Sequence, residues 1–142
     1  MKSHIHATGL FLIHQHSFLL LRRNPQDPQA SQWGLVGGQV EPDELPLQAV
    51  LREVEAEIDL KLEAAQIQLL DQFELTYPEY DVTFYVFSTT VDQAFDPFMD
   101  QAEHLDFRWV TRDQCLQLAN VISGLQIILH SPAIKQALEA TV

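Results

Sequence analysis

One segment of this sequence narrows the choice of fold more than any other. Between Leu47 and Ile58, apolar residues recur at three- and four-residue steps. This spacing predicts a helix with one buried face, because an α-helix turns by about 100° per residue. Asp43 is placed to cap the helix, and Pro46 falls in its first turn, where a missing N–H is tolerated.

The rest of the chain has mainly strand-like patterns. Residues 6–13 and 17–22 flank a short polar turn and predict an N-terminal hairpin. Further strands are predicted at residues 33–40 (broken by glycines), 67–75, 82–90 and 105–110. Thr111 offers an N-cap for a helix reaching about Ala119, and helical patterns follow at residues 125–130 and after Ser131-Pro132. Mixed strands with few helices predict an α+β fold.

Length and composition indicate one domain. The 142 residues are 46% hydrophobic, and no repeat or linker divides them. No apolar stretch approaches the roughly 20 residues needed to cross a membrane, and the N-terminus lacks the apolar core of a signal peptide. We therefore expect a single domain over residues 1–142, cytoplasmic and not bound to a membrane. Cys115 is the only cysteine, which excludes an intrachain disulfide.

The charge of the chain restricts its partners. It has 20 acidic and 8 basic side chains, giving a formal net charge of -12. Such a charge repels polyanions, so we expect no nucleic-acid partner. A small substrate with phosphates would need its charge masked by divalent cations, which clustered carboxylates attract.

Two glutamates on the predicted helix form a candidate metal site. Glu53 and Glu57 are one turn apart, about 40° from each other around the axis, at the edge of the apolar face. Like charges this close repel unless a cation lies between them. Magnesium suits such a pair, because it binds a few carboxylates and completes its shell with water and phosphate oxygens. The pair alone also fits an ordinary solvated helix face.

The complete segment favours the metal site. A glycine turn, a loop with Glu41 and Glu44, and a helix with Arg52-Glu53 and Glu57 follow at fixed distances. Here the sequence resembles the Nudix hydrolase family, whose motif places Gly, Glu, Arg-Glu, an aliphatic residue, a Glu-Glu pair, Gly and a second aliphatic residue at set intervals. The positions in register are Gly38, Glu44, Arg52, Glu53, Val54, Glu57 and Leu60.

The resemblance implies a fold and an activity. It implies an α/β/α sandwich with a mixed central sheet, and metal-dependent cleavage of the pyrophosphate linkage of a nucleoside diphosphate joined to another group. The carbonyl of Gly37, with Glu53 and Glu57, would bind Mg²⁺ or Mn²⁺. An ion pair of Glu44 with Arg52 would tie the loop to the helix and aim Glu53. Glu53 is the first candidate for the general base, and Glu103 is the second.

Two positions depart from the family motif. Ala56 replaces the first residue of the Glu-Glu pair and removes an expected metal ligand, while Asp59 replaces the glycine at the helix exit. A left-handed conformation is allowed for aspartate at a cost on the order of 1 kcal/mol. The alternative function is therefore a weakened Nudix domain that binds a nucleotide or a protein partner without turnover. A homodimer is also in keeping with the resemblance.

Several other residues are candidates for substrate binding. Arg22 and Arg23 end a predicted strand, and because neighbouring side chains alternate, only one readily faces a cleft and holds a phosphate. A stacking surface for a base could come from aromatic residues that equally fit a core. The six histidines show no helical pair at metal spacing, and we interpret them as surface residues. The aromatic candidates are Trp33, Phe73, Tyr77, Tyr80 and Phe84.

Overall fold

The computed structural model describes residues 2–23, 32–99 and 104–140. The strands are β1 (Ser3–His14), β2 (Ser17–Arg23), β3 (Trp33–Gly34), β4 (Gln68–Thr76), β5 (Tyr80–Thr90) and β6 (His104–Thr111). The helices are α1 (Pro46–Ile58), α2 (Arg112–Gln117), α3 (Ser123–Ile128) and α4 (Pro132–Ala140), with a short 3₁₀ helix at Ala64–Gln66. The predicted α+β class is confirmed.

One mixed sheet contains all six strands. Its order is β3-β2-β1-β5-β4, and β6 pairs antiparallel with β2. The pairing of β1 with β5 is parallel, and the other pairings are antiparallel. The predicted hairpin joins β1 to β2 through Gln15 and His16, both of which have positive φ angles. This backbone matches the right-handed twist of the two strands.

Helices cover both faces of the sheet, as the alternation of side chains along β1 and β2 requires. On one face, Leu10 and Leu12 pack with Val50 and Val54 of α1. On the opposite face, the neighbouring residues of β1 and β2 meet side chains from α2, α3 and α4. The result is the three-layer sandwich with a mixed central sheet that the resemblance implied.

The ends of α1 differ in how well the sequence predicts them. The helix begins later than expected: Leu45 is the N-cap, so the prediction that Asp43 caps the helix was wrong. The side chain of Gln48 accepts a hydrogen bond from the Leu45 N–H at 2.9 Å instead. At the other end, Asp59 is left-handed (φ 55°, ψ 36°), and its N–H bonds to the carbonyl of Glu55. Asp59 thus adopts the left-handed conformation that is allowed for aspartate at this position.

The predicted cap at Thr111 is present. The Thr111 hydroxyl accepts a hydrogen bond from the Gln114 N–H and starts α2, which ends at Gln117 rather than near Ala119. Pro132 is the first residue of α4. Among the described residues, no helix has the length and hydropathy to cross a membrane.

Candidate functional site

The centre of the site is the pair Gly37 and Gly38 between β3 and α1, called the glycine turn below. The chain does not reverse its direction here, because antiparallel bridges to β1 flank the pair on both sides. The N–H and the hydroxyl of Thr8 both donate to the carbonyl of Gly38, at 2.8 and 3.1 Å. Gly37 has a φ of 151°, and a Cβ atom there would collide with the backbone oxygen of Thr8. The turn therefore lies flat on β1, and position 37 requires glycine.

Both helix carboxylates face this turn. Glu57 Oε1 accepts a hydrogen bond from the Gly37 N–H at 2.8 Å. The carboxylate of Glu53 lies against Gly38, where an added Cβ would be 2.6 Å from Glu53 Cδ. Glu57 is 5% exposed. Because Glu53 and Glu57 are one helical turn apart, both of their carboxylates reach the glycine pair. The carboxylate of Glu57 is almost completely buried.

Arg52 connects these carboxylates to the loop before the helix. Its Nε and Nη2 donate to the two oxygens of Glu44 at 2.6 and 2.9 Å, a bidentate geometry. Its Nη1 donates to Glu53 Oε1 at 2.6 Å, and Nη2 also reaches the carbonyl of Gln39 at 3.1 Å. The Arg52 guanidinium therefore holds Glu53 in place from the side and fastens the loop to α1.

The same contacts shift two pKa values. The hydrogen bond from Arg52, followed by one from the Glu41 N–H, lowers the pKa of Glu44 to about 2. The hydrogen bond to Glu44 raises the pKa of Arg52 above its usual value. Both groups are charged over the whole neutral range, so the ion pair is present at neutral pH.

A buried histidine completes the surroundings of Glu57. His104 opens β6, is 6% exposed, and places Nε2 at 3.4 Å from Glu57 Oε2. The prediction that the histidines are surface residues was wrong for this one, because the antiparallel pairing of β6 with β2 carries it inward. Glu103, the second candidate base, lies outside the described residues. The histidines that do reach the surface, fully or in part, are His4, His6, His14, His16 and His130.

A cavity of about 300 Å³ opens beside the turn. Gly37 and Gly38 form part of its wall, and Arg23 is the arginine at the end of β2 that lines it. The rings of Tyr77 and Tyr80 stand in the wall with their centroids 5.1 Å apart and their planes 28° from parallel. The cavity therefore contains aromatic rings on which a base can stack and an arginine side chain, and it adjoins the glycine turn that the two carboxylates face.

The other aromatic candidates are divided between cavity and core. Phe84 lines the cavity, and it also packs against the hydrophobic cluster behind it. Trp33 belongs to that cluster, and Phe73 packs against it. Two tyrosines and one phenylalanine of the five aromatic candidates are thus available to a ligand in the cavity.

The donors at the turn are carboxylate and backbone oxygens, which are the ligands that Mg²⁺ and Mn²⁺ prefer. Because Gly38 has no Cβ atom, the carboxylate of Glu53 can lie directly against the backbone, and the glycine turn and this carboxylate can contact the same ion. Ala56 is exposed and contributes no oxygen. Within the described ranges, no three His, Cys, Asp or Glu side chains are gathered closely enough to hold a metal by themselves. The residues fit an ion that takes several ligands from water or substrate.

A family model for the NUDIX domain matches residues 3–129, which is most of the chain. The chain belongs to the Nudix family. The MutT protein from Methanosarcina mazei Go1 has a similar structure, with a TM-score of 0.78 and 25% identity over 90% of this chain and 91% of that one. No curated protein matches the sequence.

Two further structures of lower sequence identity share the fold. A MutT NUDIX hydrolase from Burkholderia pseudomallei has a TM-score of 0.77 and 22% identity, covering 92% of this chain and 99% of that one. An Ap4A hydrolase from C. elegans has a TM-score of 0.73 and 18% identity, covering 96% and 98%. The Nudix segment of this chain thus lies in a complete Nudix fold, with Ala56 and Asp59 as its departures from the motif.

Proposed function

We propose that this Nudix domain is a pyrophosphohydrolase that uses Mg²⁺ or Mn²⁺ to cut a nucleoside diphosphate linked to another group. The observation that carries the proposal is that Glu53 and Glu57 face one glycine turn, which also forms a wall of the aromatic cavity. A similar structure is that of an Ap4A hydrolase, which supports a nucleotide derivative as the substrate.

Different parts of the substrate bind in the cavity and at the glycine turn. Its base stacks on Tyr77 or Tyr80, and the guanidinium of Arg23 binds a phosphate at the cavity mouth. The linkage to be cut then lies over Gly37 and Gly38, in front of the carboxylates.

Three residues of α1 and one residue of the loop before it have roles in the proposed reaction. Glu53 and Glu57, with the carbonyl of Gly37, would hold the divalent ion, which when bound would supply positive charge near the phosphate oxygens and make water more acidic. Glu53 accepts the proton of the attacking water, because Arg52 occupies its Oε1 and leaves Oε2 toward the turn. Arg52 and Glu44 keep that carboxylate aimed.

The test is a panel of nucleoside triphosphates, sugar nucleotides and dinucleotides with millimolar Mg²⁺ or Mn²⁺. We expect release of phosphate, pyrophosphate or a monophosphate from at least one compound, and loss of this release in Glu53→Gln with the melting temperature preserved. Glu55→Gln is the matched control, since Glu55 is exposed on the same helix. Equal rates for wild type and Glu53→Gln contradict the assigned role.

A second function has one observation in its favour. Ala56 leaves the site with two helix carboxylates, which would suit a Nudix domain that binds a nucleotide or protein without turnover. Nucleotide binding in calorimetry, with no product from the whole panel under either metal, would select this function.

A further inference from the structure

The Glu57 carboxylate is held from two sides by different parts of the fold. Gly37 of the turn donates to Oε1 at 2.8 Å, and Nε2 of His104 lies 3.4 Å from Oε2. Glu57 and His104 are both more than nine-tenths buried. A helix residue is therefore in contact with a strand residue far along the chain, within a small buried polar cluster.

The chemistry of this contact fixes its direction. An ionised carboxylate can only accept a hydrogen bond, so the imidazole presents an N–H to it. Removing a carboxylate from water is unfavourable unless donors replace the water. Gly37 provides one donor, and Nε2 of His104, 3.4 Å from the other carboxylate oxygen, is placed to provide the second. Rotation of the Glu57 side chain would lose both contacts.

We propose that His104 is a positioning residue that fixes the Glu57 carboxylate for the divalent ion and so offsets the loss of a ligand at Ala56. The inference rests on the proposed metal site. A site with fewer protein ligands depends more on the orientation of each one. Hydrogen-bonding partners of ligating carboxylates typically change metal affinity by about 10- to 100-fold when they are removed.

The experiment titrates the full chain with Mn²⁺ alone and follows free Mn²⁺ by electron paramagnetic resonance. His104→Ala should raise the Mn²⁺ Kd by roughly 10- to 100-fold. His104→Gln, whose amide can still donate to Glu57, should restore most of the affinity. His6→Ala is the control, because His6 is an exposed histidine of β1 and should bind like the wild type. Thermal unfolding identifies any variant that is not folded.

Four results are distinguishable. Rescue by glutamine after loss with alanine supports the positioning role. Unchanged affinity in folded His104→Ala, with wild-type binding intact, overturns the inference and leaves the proposed function standing. A nitrogen coupling to Mn²⁺ in pulsed spectra that disappears in His104→Gln also overturns it, because the imidazole would then be a direct ligand. Absence of Mn²⁺ binding by the wild type, with and without nucleotide, removes both proposals. If His104→Ala does not fold, the test passes to His104→Leu, which fills the volume without donating.

Discussion

Replacing Gly38 by alanine should displace the Glu53 carboxylate without changing its chemistry. A Cβ atom at position 38 would lie 2.6 Å from Glu53 Cδ and 2.8 Å from Oε2. Unstrained carbon–carbon contacts are about 3.5–4.0 Å, so the carboxylate must withdraw by about 1 Å. A shift of this size in a catalytic group can lower turnover by about 100-fold. The displaced atoms end a flexible side chain, so the fold should tolerate the change.

Gly37→Ala is the matched comparison, because the neighbouring glycine is restricted by the backbone instead. Its Cβ would meet the backbone oxygen of Thr8, and its φ of 151° is unfavourable for any residue with a side chain. Strain of this kind costs about 1–3 kcal/mol before the collision is added. In a domain of this size we expect the melting temperature to fall by roughly 5–10 °C.

The assay measures kcat on the best substrate of the panel, Mn²⁺ affinity and the melting temperature for both variants. Gly38→Ala should lose turnover at a nearly constant melting temperature, whereas Gly37→Ala should lose stability first. Turnover within about threefold of wild type in Gly38→Ala would refute the reasoning, since a misplacement of 1 Å is expected to cost far more. It would mean that Glu53 acts from a position other than the one against Gly38.

Three further predictions concern the loop, the helix and the cavity. The pKa of Glu44 is lowered from its ordinary value of 4.5 to about 2, so the ionised side chain stabilises the folded protein at pH values above 4.5. This contribution is lost as the pH falls from 4.5 through about 2. The free energy of unfolding, measured in urea, should therefore fall less steeply with decreasing pH in Glu44→Gln than in wild type over this pH range. An equal pH dependence in the two proteins would contradict the contact with Arg52. Ala56→Glu should lower the Mn²⁺ Kd, and no change would place position 56 away from the ion. Tyr77→Ala should weaken nucleotide binding by about 1–3 kcal/mol in calorimetry if the base stacks there, and unchanged affinity would move the base elsewhere.

The local parts of the fold were predictable because their signals are contained in short stretches of sequence. The 3.6-residue period gave α1, and alternation with turn residues gave the strands. The start of α1 was not predictable from the capping preference of Asp43. Arg52 binds Glu44 and anchors the loop, so the chain enters the helix only at Leu45. A contact between the loop and the helix thus overrode the capping preference of a single residue.

The candidate site was predictable only where it lies on one continuous segment. Glu53 and Glu57 follow from helical spacing, and the glycine pair that they both face precedes them in the same continuous segment. His104 depends on the pairing of β6 with β2, which no local pattern encodes. The choice between Arg22 and Arg23 was open for a similar reason. The β2–β6 register shifts between these two residues, so simple alternation does not decide which one lines the cavity.

The double glycine connects the two parts of the candidate site, the aromatic cavity and the carboxylates of α1. Gly37 and Gly38 form a wall of the aromatic cavity, and the same two residues receive the carboxylates of α1. A side chain at position 37 would collide with the backbone of β1, and one at position 38 would displace the carboxylate of Glu53. Gly37 is required by its backbone angle, but Gly38 is required by the space it leaves. The backbone conformation therefore explains the glycine at position 37, and the close approach of the Glu53 carboxylate explains the one at position 38.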